Sequence, residues 1–477
     1  MELDLPTPAE TARQLAELQS VFNAQRAAFR RQPNPSASER QAHLKALCRL
    51  LAENADAASA AIDADFGHRS RHETKLLEIF PSLQAAKHAR SHVARWMRTE
   101  RKPVALWFWA GRAEVVKQPL GVVGVLAPWN YPLYLSVAPL VSALAAGNRV
   151  IIKPSEFTPH FGDLLARLIA GHFARNHVAV VNGGIELARA FAAHPFDHLL
   201  FSGSTTVGRE VMRAAAANLT PVTLELGGKS PVIVAPGFPI ETAAQSILAG
   251  KCLNAGQTCI APDYALIPEG TEEAFVAAAR DAVGKLYPGG AASPDFTAII
   301  NARHYERLRE CVDDAVKKGA RVIELAGGTS ASDRKFAPIL VMGVGEEMRI
   351  MQEEIMGPVL PVKTYRTIDE ALDYLADHPR PLALYYFDRD PARIRRILAE
   401  SLSGGVTIND TIFHIAQEAL PFGGIGSSGM GAYHGEEGFN TFSKRKGVFL
   451  QSRLSAVGLL RPPFGKVVER VLKIMLR

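Results

Sequence analysis

Short apolar runs alternate with longer helical stretches between Leu120 and Gly228. Each β-branched run is followed by a turn and then by a segment rich in alanine and leucine. Continuous apolar strands separated by such helices are typical of βαβ units, in which helices cover both faces of a parallel sheet. We therefore predict a doubly wound α/β domain here. Its predicted strands are Val122–Leu126, Val150–Lys153, Val178–Val181, His198–Phe201 and Val222–Glu225.

A second α/β alternation begins after Gly228, with helices such as Ile240–Leu253 and Thr271–Lys285 between its strands. Because the composition does not change at Gly228, this boundary depends on the restart of the pattern alone. Helical periodicity also precedes the first alternation. The predicted helices of this N-terminal segment are Ala9–Arg30, Ala37–Asp65 and His72–Met97. The predicted strands of the second unit are Val232–Ala235, Ala265–Pro268, Val322–Glu324, Val359–Val362, Ala383–Phe387 and Val406–Ile408.

The segment Gln118–Asn148 contains no charged residue, yet the pattern does not favour a membrane span. Pro128, Pro132 and Pro139 interrupt it, whereas a span needs about 20 predominantly apolar residues in one helix. We predict a strand, a polar turn and a buried helix in its place. Just before it, Arg101–Lys117 alternates aromatic and apolar residues, which predicts a β-hairpin that carries exposed tryptophans and is covered by a partner subunit.

The C-terminal segment Pro462–Arg477 has the pattern of a basic amphipathic helix. Its apolar residues recur at helical spacing opposite Lys466, Arg470 and Lys473. The apolar stripe can be buried against the protein's own body or on a membrane surface, and we favour the protein's own body. A weak contact with a membrane surface is the alternative.

The composition is that of a large globular protein, with 477 residues of which 47% are hydrophobic and 21% charged. These values exclude a disordered chain, a collagen-like repeat and a small disulfide scaffold. The four cysteines include no CxxC pair, so neither a metal site nor a disulfide framework is expected. A net charge of +6 is mild for this length and indicates no nucleic acid partner. The acidic start, without a basic and then apolar segment, leads us to expect a cytoplasmic location.

The loop FSGSTTVG is the best candidate for binding a cofactor phosphate. Gly203, Ser204 and Gly208 follow the predicted strand His198–Phe201 and begin a helix, where backbone amides can bind a pyrophosphate. By itself the loop could equally be an ordinary helix cap. The G-x-G-x-x-G match at Gly424–Gly429 follows no strand, so we interpret it as a glycine-rich loop near a site.

Lys153 ends the second predicted strand, and Glu156 follows it in KPSE. A ligand crevice is expected at the carboxyl ends of parallel strands, and a lysine buried there is costly without a partner. An acidic residue at this edge can accept hydrogen bonds from ribose hydroxyls. A surface Lys–Glu pair is an equally good interpretation of these two residues by themselves.

Cys259 is the candidate nucleophile, because it lies in a loop, NAGQTCIAP, with small and polar neighbours. A nucleophilic cysteine needs partial exposure and a lowered pKa. The other cysteines, Cys48, Cys252 and Cys311, lie in predicted helices and have the surroundings of packing residues.

Glu225 and Asn130 are polar residues at or just after the carboxyl ends of predicted strands. Glu225 ends the fifth strand and could act as a general base. Asn130 follows the first strand and could donate its amide to an oxyanion. Each of them, taken separately, is more often structural than catalytic.

The motifs PWNYP, KPSE, FSGSTTVG, LELGGKSP, NAGQTC and EEIMGPV occur in this order along the chain. In this combination, from about Leu18 to Gly447, the chain resembles the aldehyde dehydrogenase superfamily and its class-3 branch. DFGHRSRHET, WMR and PWNYPLYL are similar to the coniferyl aldehyde dehydrogenase group of bacteria. The resemblance implies an α/β fold with a doubly wound cofactor domain, an α/β catalytic domain and a small β bridging element for a homodimer. The implied boundaries are 1–102 and 119–227 for the NAD-binding domain, 228–404 for the catalytic domain, 103–118 and 405–447 for the bridging element, and 448–477 for the tail.

The resemblance also implies how the residues act. Cys259 would attack an aldehyde carbonyl, and Asn130 with the N–H of Cys259 would hold the oxyanion. Glu225 would then activate the water that hydrolyses the thioester, releasing a carboxylic acid. The implied cofactor is NAD, with NADP tolerated. The implied cofactor contacts are Trp129, Lys153, Glu156, Gly203, Ser204, Gly208 and Glu354.

The implied substrate is coniferaldehyde or another aromatic or extended apolar aldehyde. A medium- or long-chain aliphatic aldehyde dehydrogenase and a cofactor-independent thiol esterase are the alternatives. Met356 stands where the family usually has Phe, which implies looser packing of the nicotinamide. Ala249 and Cys252 replace a bulky Trp and Phe of many relatives, and we expect a wider aldehyde tunnel unless Trp107 or Trp109 compensates.

Overall fold

In the computed structural model, which describes residues 7–105, 108–454, 458 and 461–476, the strands lie in three sheets. The strands are β1 Glu100–Lys102, β2 Arg112–Pro119, β3 Val122–Leu126, β4 Arg149–Lys153, β5 Val178–Val180, β6 His198–Gly203, β7 Val222–Leu226, β8 Pro231–Val234, β9 Tyr264–Pro268, β10 Arg321–Glu324, β11 Ile339–Met342, β12 Val359–Tyr365, β13 Ala383–Phe387, β14 Gly405–Ile408, β15 Gly429–Met430 and β16 Ser443–Leu450. The α-helices are α1 Pro8–Arg31, α2 Ala37–Glu53, α3 Ala55–Phe66, α4 Arg71–Thr74, α5 Phe80–Trp96, α6 Tyr134–Ala146, α7 Pro159–His172, α8 Ile185–Ala192, α9 Thr205–Ala216, α10 Ile240–Cys252, α11 Glu272–Leu286, α12 Ala302–Lys317, α13 Arg349–Gln352, α14 Ile368–Ala376, α15 Pro391–Glu400, α16 Gly435–Thr441 and α17 Lys466–Met475.

The first sheet has the strand order β15-β7-β6-β3-β4-β5, and its strands are parallel except for β15. The doubly wound sheet predicted from the first alternation is confirmed. From β3 the chain continues outward through β4 and β5, and then returns to place β6 on the other side of β3. In such sheets the ligand crevice lies outside the carboxyl ends of the strands at the point where the order reverses, here between β3 and β6.

The second sheet has the order β10-β11-β12-β9-β8-β13-β14, with β10 antiparallel to β11 and the other strands parallel. All of the strands predicted for the second alternation are present. The pattern missed β11, whose apolar run of 4 residues is too short for periodicity to separate a strand from other buried structure.

The third sheet is small and joins β1, β2 and β16. The predicted hairpin is confirmed by the antiparallel pairing of β1 with β2, and Trp109 beside it is 75% exposed. Trp107 lies outside the described residues. Within the predicted bridging segment 405–447, β14 extends the second sheet and β15 the first, whereas β16 pairs with β2. The strands of the predicted bridging segment thus belong to three different sheets. The domain boundaries stay a prediction.

Two of the predicted N-terminal helices are interrupted. The helix predicted over Ala37–Asp65 ends at Asn54, whose side-chain amide donates to the Leu50 carbonyl at 2.8 Å, and α3 begins at the next residue. The helix predicted over His72–Met97 contains a π-helical turn at Lys75–Ile79. Such turns are rare and often lie at functional sites, because they redirect the side chains that follow.

Helix α6 is buried along its whole length, which confirms the strand, turn and buried helix predicted for Gln118–Asn148. Within the described part of the chain, every helix is too short or too polar to cross a bilayer. Helix α17 has no buried residue, and Val467 and Ile474 on its apolar face are 54% and 67% exposed. The prediction that this helix packs on the body of its own chain is therefore wrong, because the periodicity shows an apolar stripe without showing what covers it.

Candidate active site

Cys259 lies in a loop that leaves α10 through a short 3-10 turn with a strained backbone. Asn254 and Ala255 have φ angles of 54° and 50°, in the left-handed region that non-glycine residues seldom adopt. Gly256 has a φ of 74°, and a Cβ there would collide with the carbonyl oxygen of Gly357. The loop thus packs backbone against backbone beside the candidate nucleophile.

Buried hydrogen bonds hold this loop in its strained conformation. The Glu73 carboxylate accepts the Asn254 backbone N–H at 2.7 Å and the Thr297 hydroxyl at 2.6 Å. The Gln257 side chain donates to the Ala298 carbonyl at 3.0 Å. A buried carboxylate needs such donors, so Glu73 is fully engaged in fixing the loop. Glu73 was not among the predicted site residues, because its contact with Asn254, 181 positions away, leaves no local pattern.

Asn130 lies beside the nucleophile loop, as its predicted role requires. Its side-chain N–H donates to the Gln257 carbonyl at 3.2 Å. Its own backbone carbonyl accepts from the Asn254 side chain at 2.9 Å and from Arg69 at 3.2 Å. The amide is buried and held between the end of β3 and the loop.

Arg69 and Glu78 form a fully buried ion pair at 2.7 Å behind Asn130. Glu78 lies in the π-helical turn and also accepts the backbone N–H groups of Leu133 and Tyr134, at 2.7 and 3.1 Å. This pair therefore fixes the turn between β3 and α6. Neither residue was among the predicted site residues, since a long-range ion pair leaves no local pattern.

Glu225 lies on β7 opposite Gly429 of β15. Its carboxylate is buried, and neither of its oxygens has a hydrogen-bond partner among the described residues. Burial raises the pKa of Glu225 well above its usual value. A Cβ at Gly429 would collide with the Leu224 carbonyl, so the G-x-G-x-x-G segment is a glycine-rich loop packed against the site, as interpreted from the sequence.

Glu354 is a half-buried residue whose carboxylate lies within electrostatic range of Cys259. Burial raises the pKa of Glu354 to about 8, and the charge of Asp263 acts in the same direction. Burial also raises the pKa of the Cys259 thiol, and the charges of Glu354 and Glu225 raise it further. The pKa of the Cys259 thiol is thus raised, whereas a lowered pKa is expected of a nucleophile. Glu354 and Glu225 both lie within electrostatic range of the thiol.

The residues predicted to bind the cofactor ribose and phosphates lie at the strand ends on both sides of β3. Lys153 is 2% exposed, and its ammonium donates to the Pro154 carbonyl at 3.0 Å and to Glu156 at 3.2 Å. Ser204 caps α9, and its hydroxyl accepts the Val207 N–H at 3.3 Å. The N-terminus of α9 therefore faces the predicted crevice with the dipole orientation that favours an anion.

Several further features of this edge fit a dinucleotide. A Cβ at Gly208 would collide with Leu226, so α9 packs closely on the sheet, as helices at pyrophosphate sites do. The Trp129 ring lies 5.0 Å from the His304 ring. One carboxylate oxygen of Glu354 is buried without a partner, which leaves an acceptor for a hydroxyl donor. Met356 has a φ of 49°, so its position near this edge is strained.

A cavity of about 1040 Å³ reaches Cys259. Ala249 lies on its wall, at the position where a wider tunnel is predicted, whereas Cys252 is buried within α10. Among the residues that the structure describes, Trp109 is not part of the wall. The larger apolar and aromatic side chains of the wall include Leu76, Phe80, Tyr134, Leu135, Phe413 and Phe422.

Residues 9–448 of the chain match the aldehyde dehydrogenase family. The chain is 50% identical over 478 residues to a probable coniferyl aldehyde dehydrogenase of Pseudomonas aeruginosa, with 100% of both chains covered. It is 39% identical to the dimeric NADP-preferring aldehyde dehydrogenase of Rattus norvegicus, over 92% of this chain and 96% of the relative.

Two solved structures have the same fold. The substrate-bound AldH of Staphylococcus aureus superimposes with a TM-score of 0.91 at 37% identity, covering 96% of this chain and 99% of the other. An aldehyde dehydrogenase of Mycobacterium tuberculosis in complex with NAD+ gives a TM-score of 0.84 at 30% identity, covering 93% and 92%. The chain belongs to the aldehyde dehydrogenase family and is an oxidoreductase that acts on aldehydes.

Proposed function

We propose that this protein oxidises coniferaldehyde, or another aromatic or extended apolar aldehyde, to the carboxylic acid with NAD, and that NADP is also accepted. The observation that carries this proposal is the position of Cys259 at a large cavity with apolar walls, in a loop that Asn130 contacts and within electrostatic range of Glu225 and Glu354. The names of the Pseudomonas and rat relatives and the NAD+ complex of the mycobacterial enzyme support the substrate class and the cofactors.

Lys153 and Glu156 would hold the adenosine ribose, and Gly203, Ser204 and the start of α9 the pyrophosphate. Glu354 would accept from the nicotinamide ribose through its free oxygen. When bound, the nicotinamide supplies an acceptor for the hydrogen and electron pair that leave the substrate carbon.

We propose the following catalytic steps for the chain's own residues. The Cys259 thiol transfers its proton to a neighbouring carboxylate, and the thiolate sulfur forms a bond to the carbonyl carbon. The carbonyl electron pair moves onto oxygen, where the Asn130 amide and the Cys259 N–H stabilise the charge. Loss of the hydrogen with its electron pair leaves a thioester on Cys259. Glu225 then takes a proton from water, the water oxygen bonds to the acyl carbon, and the carbon–sulfur bond breaks to release the acid and the thiolate.

The apolar wall favours substrates with an extended hydrophobic body, so a medium- or long-chain aliphatic aldehyde is the second candidate. A thiol esterase that needs no nicotinamide is the third. We further propose that the protein is a cytoplasmic homodimer. The free cysteines support the cytoplasmic location, and the description of the rat relative as dimeric supports the homodimer. The exposed α17 would make a weak contact with a membrane surface.

The test is spectrophotometric detection of NADH or NADPH with coniferaldehyde, benzaldehyde and hexanal, each with NAD and with NADP. Cys259→Ala should abolish turnover while NAD binding stays measurable. Cys48→Ala, a change at a buried cysteine of α2, is the matched control and should remain active. Full activity of Cys259→Ala would refute the proposal, and hydrolysis of an activated ester with no oxidation of any aldehyde would favour the esterase.

A further inference from the structure

One side of the Cys259 cavity carries a polar cluster, which we define as Tyr134, Glu418, Tyr433 and His434. Tyr134 and Glu418 line the cavity itself. Glu418 also lines a small adjoining cavity together with Tyr433 and His434. The cluster is therefore placed where a polar group of a ligand in the large cavity would meet it.

The cluster has unused hydrogen-bonding capacity. The Tyr134 hydroxyl and the His434 imidazole are 3.2 Å apart, but Nδ1 of His434 and the buried hydroxyl of Tyr433 have no partner in the described part of the chain. No hydrogen bond from the described residues reaches the Glu418 carboxylate, and desolvation raises its pKa to about 7. Asp410, another acidic residue of the cavity wall, differs in that it accepts the Thr411 N–H at 2.8 Å.

Electrostatic interactions connect the cluster with the reaction centre. Burial raises the pKa of Tyr433 well above its usual value, and the charges of Glu225, Cys259 and Glu418 raise it further. The Tyr433 hydroxyl is thus within electrostatic range of both the nucleophile and Glu418. Cys259 and Glu418 line the same cavity, so a substrate whose carbonyl carbon is at Cys259 has its remaining atoms in the space that Glu418 borders.

Glu418 is half-buried, and above a pH of about 7 it is ionised. A partly desolvated carboxylate without a donor is unfavourable, and a ligand that supplies a donor gains a charge-assisted hydrogen bond. An aliphatic chain offers no such donor, whereas an aryl ring with a hydroxyl group offers one at the end of an apolar body. We propose that Glu418 accepts a hydrogen bond from a ring hydroxyl of the substrate and selects hydroxylated aryl aldehydes. This inference rests on the proposed function, since it concerns the distal end of the same aldehyde.

The experiment compares kcat/KM for coniferaldehyde, for 3,4-dimethoxycinnamaldehyde, in which the hydroxyl is methylated, and for unsubstituted cinnamaldehyde. In the unaltered protein we expect coniferaldehyde to be preferred by about 10- to 100-fold, the range for losing a hydrogen bond to a charged group. Glu418→Leu should reduce this preference to within about threefold while cinnamaldehyde is still oxidised. Glu437→Leu, which changes an exposed carboxylate of α16, is the control and should keep the full preference.

Glu418→Gln preserves the shape of the side chain and decides the question if the leucine variant does not fold. An intermediate preference in this variant would support the proposal, since an amide oxygen is a weaker acceptor than a carboxylate. Equal kcat/KM values for hydroxylated and methylated aldehydes in the unaltered protein would overturn it, as would a preference retained in both Glu418 variants. These results leave aldehyde oxidation itself intact, whereas failure to oxidise all three aldehydes overturns the proposed function and this inference together.

Discussion

The carboxylate of Glu73 accepts the backbone N–H of Asn254 at 2.7 Å, where the chain adopts a φ of 54°. The contact joins a helix near the N-terminus to the strained turn that precedes Cys259. A backbone conformation that costs on the order of 1–3 kcal/mol persists only when its surroundings hold it. Glu73 therefore supports the geometry of the loop before Cys259, although it does not line the cavity.

Glu73→Ala should weaken both stability and catalysis, because it leaves the Asn254 N–H and the Thr297 hydroxyl buried without an acceptor. We expect a loss of about 2–4 kcal/mol in the free energy of unfolding, measured by urea denaturation. The kcat should fall more than the KM rises. Thr297→Val removes one of the two donors and should show a smaller loss, and unchanged stability of Glu73→Ala would contradict this account.

Glu354→Gln should lower the pKa of the Cys259 thiol. Burial raises the pKa of Glu354 to about 8, so the unaltered carboxyl ionises as the pH rises through this value. Its charge then opposes formation of the thiolate, and a neutral amide removes that opposition. The rate of alkylation by iodoacetamide should therefore begin to rise at a lower pH in the variant.

The matched control for this pH experiment is Glu353→Gln, at the neighbouring residue, which has no part in the shift at Cys259. Its alkylation profile should coincide with that of the unaltered protein. A profile of Glu354→Gln that moves to higher pH would show that the carboxylate assists the thiol rather than opposing it.

Ala249→Trp should narrow the cavity that reaches Cys259, because Ala249 lies on its wall. We expect kcat/KM for coniferaldehyde to fall at least about tenfold, while that for propanal changes little, since a small aldehyde does not need the added space. Steady-state kinetics with both aldehydes give the ratio. A parallel loss for the two substrates would show that the indole disturbs the nucleophile rather than the tunnel.

Removal of residues 462–477 should abolish a weak association with anionic vesicles. The apolar face of α17 is exposed in the single chain and lies opposite Lys466, Arg470 and Lys473. Cosedimentation with vesicles that contain phosphatidylglycerol measures the effect, and vesicles of phosphatidylcholine alone are the control. Equal sedimentation of the full chain with both vesicle types would count against membrane contact, and a change of mass on truncation would favour a subunit contact.

The strands of the two large sheets could be predicted because buried parallel strands are continuous apolar runs bounded by helices. Cys259, Asn130 and Glu225 could be selected because their motifs occur together in one order along the chain, and in that combination the chain resembles a known family. Glu73 could not, since it and Asn254 are 181 positions apart and no local pattern records which residues a fold brings together.

The sequence by itself determined the α/β class, the family and the residue types of the candidate reaction centre, because short segments and their order along the chain are enough to recognise them. The tertiary structure decided the strain and support of the nucleophile loop, the raised pKa values of Cys259 and Glu354, and the exposure of α17. It also placed Glu418 on the cavity wall. Burial and long-range contacts depend on how distant segments pack. Desolvation shifts a pKa only after that packing has removed water from the charged group, so the local sequence pattern does not show it.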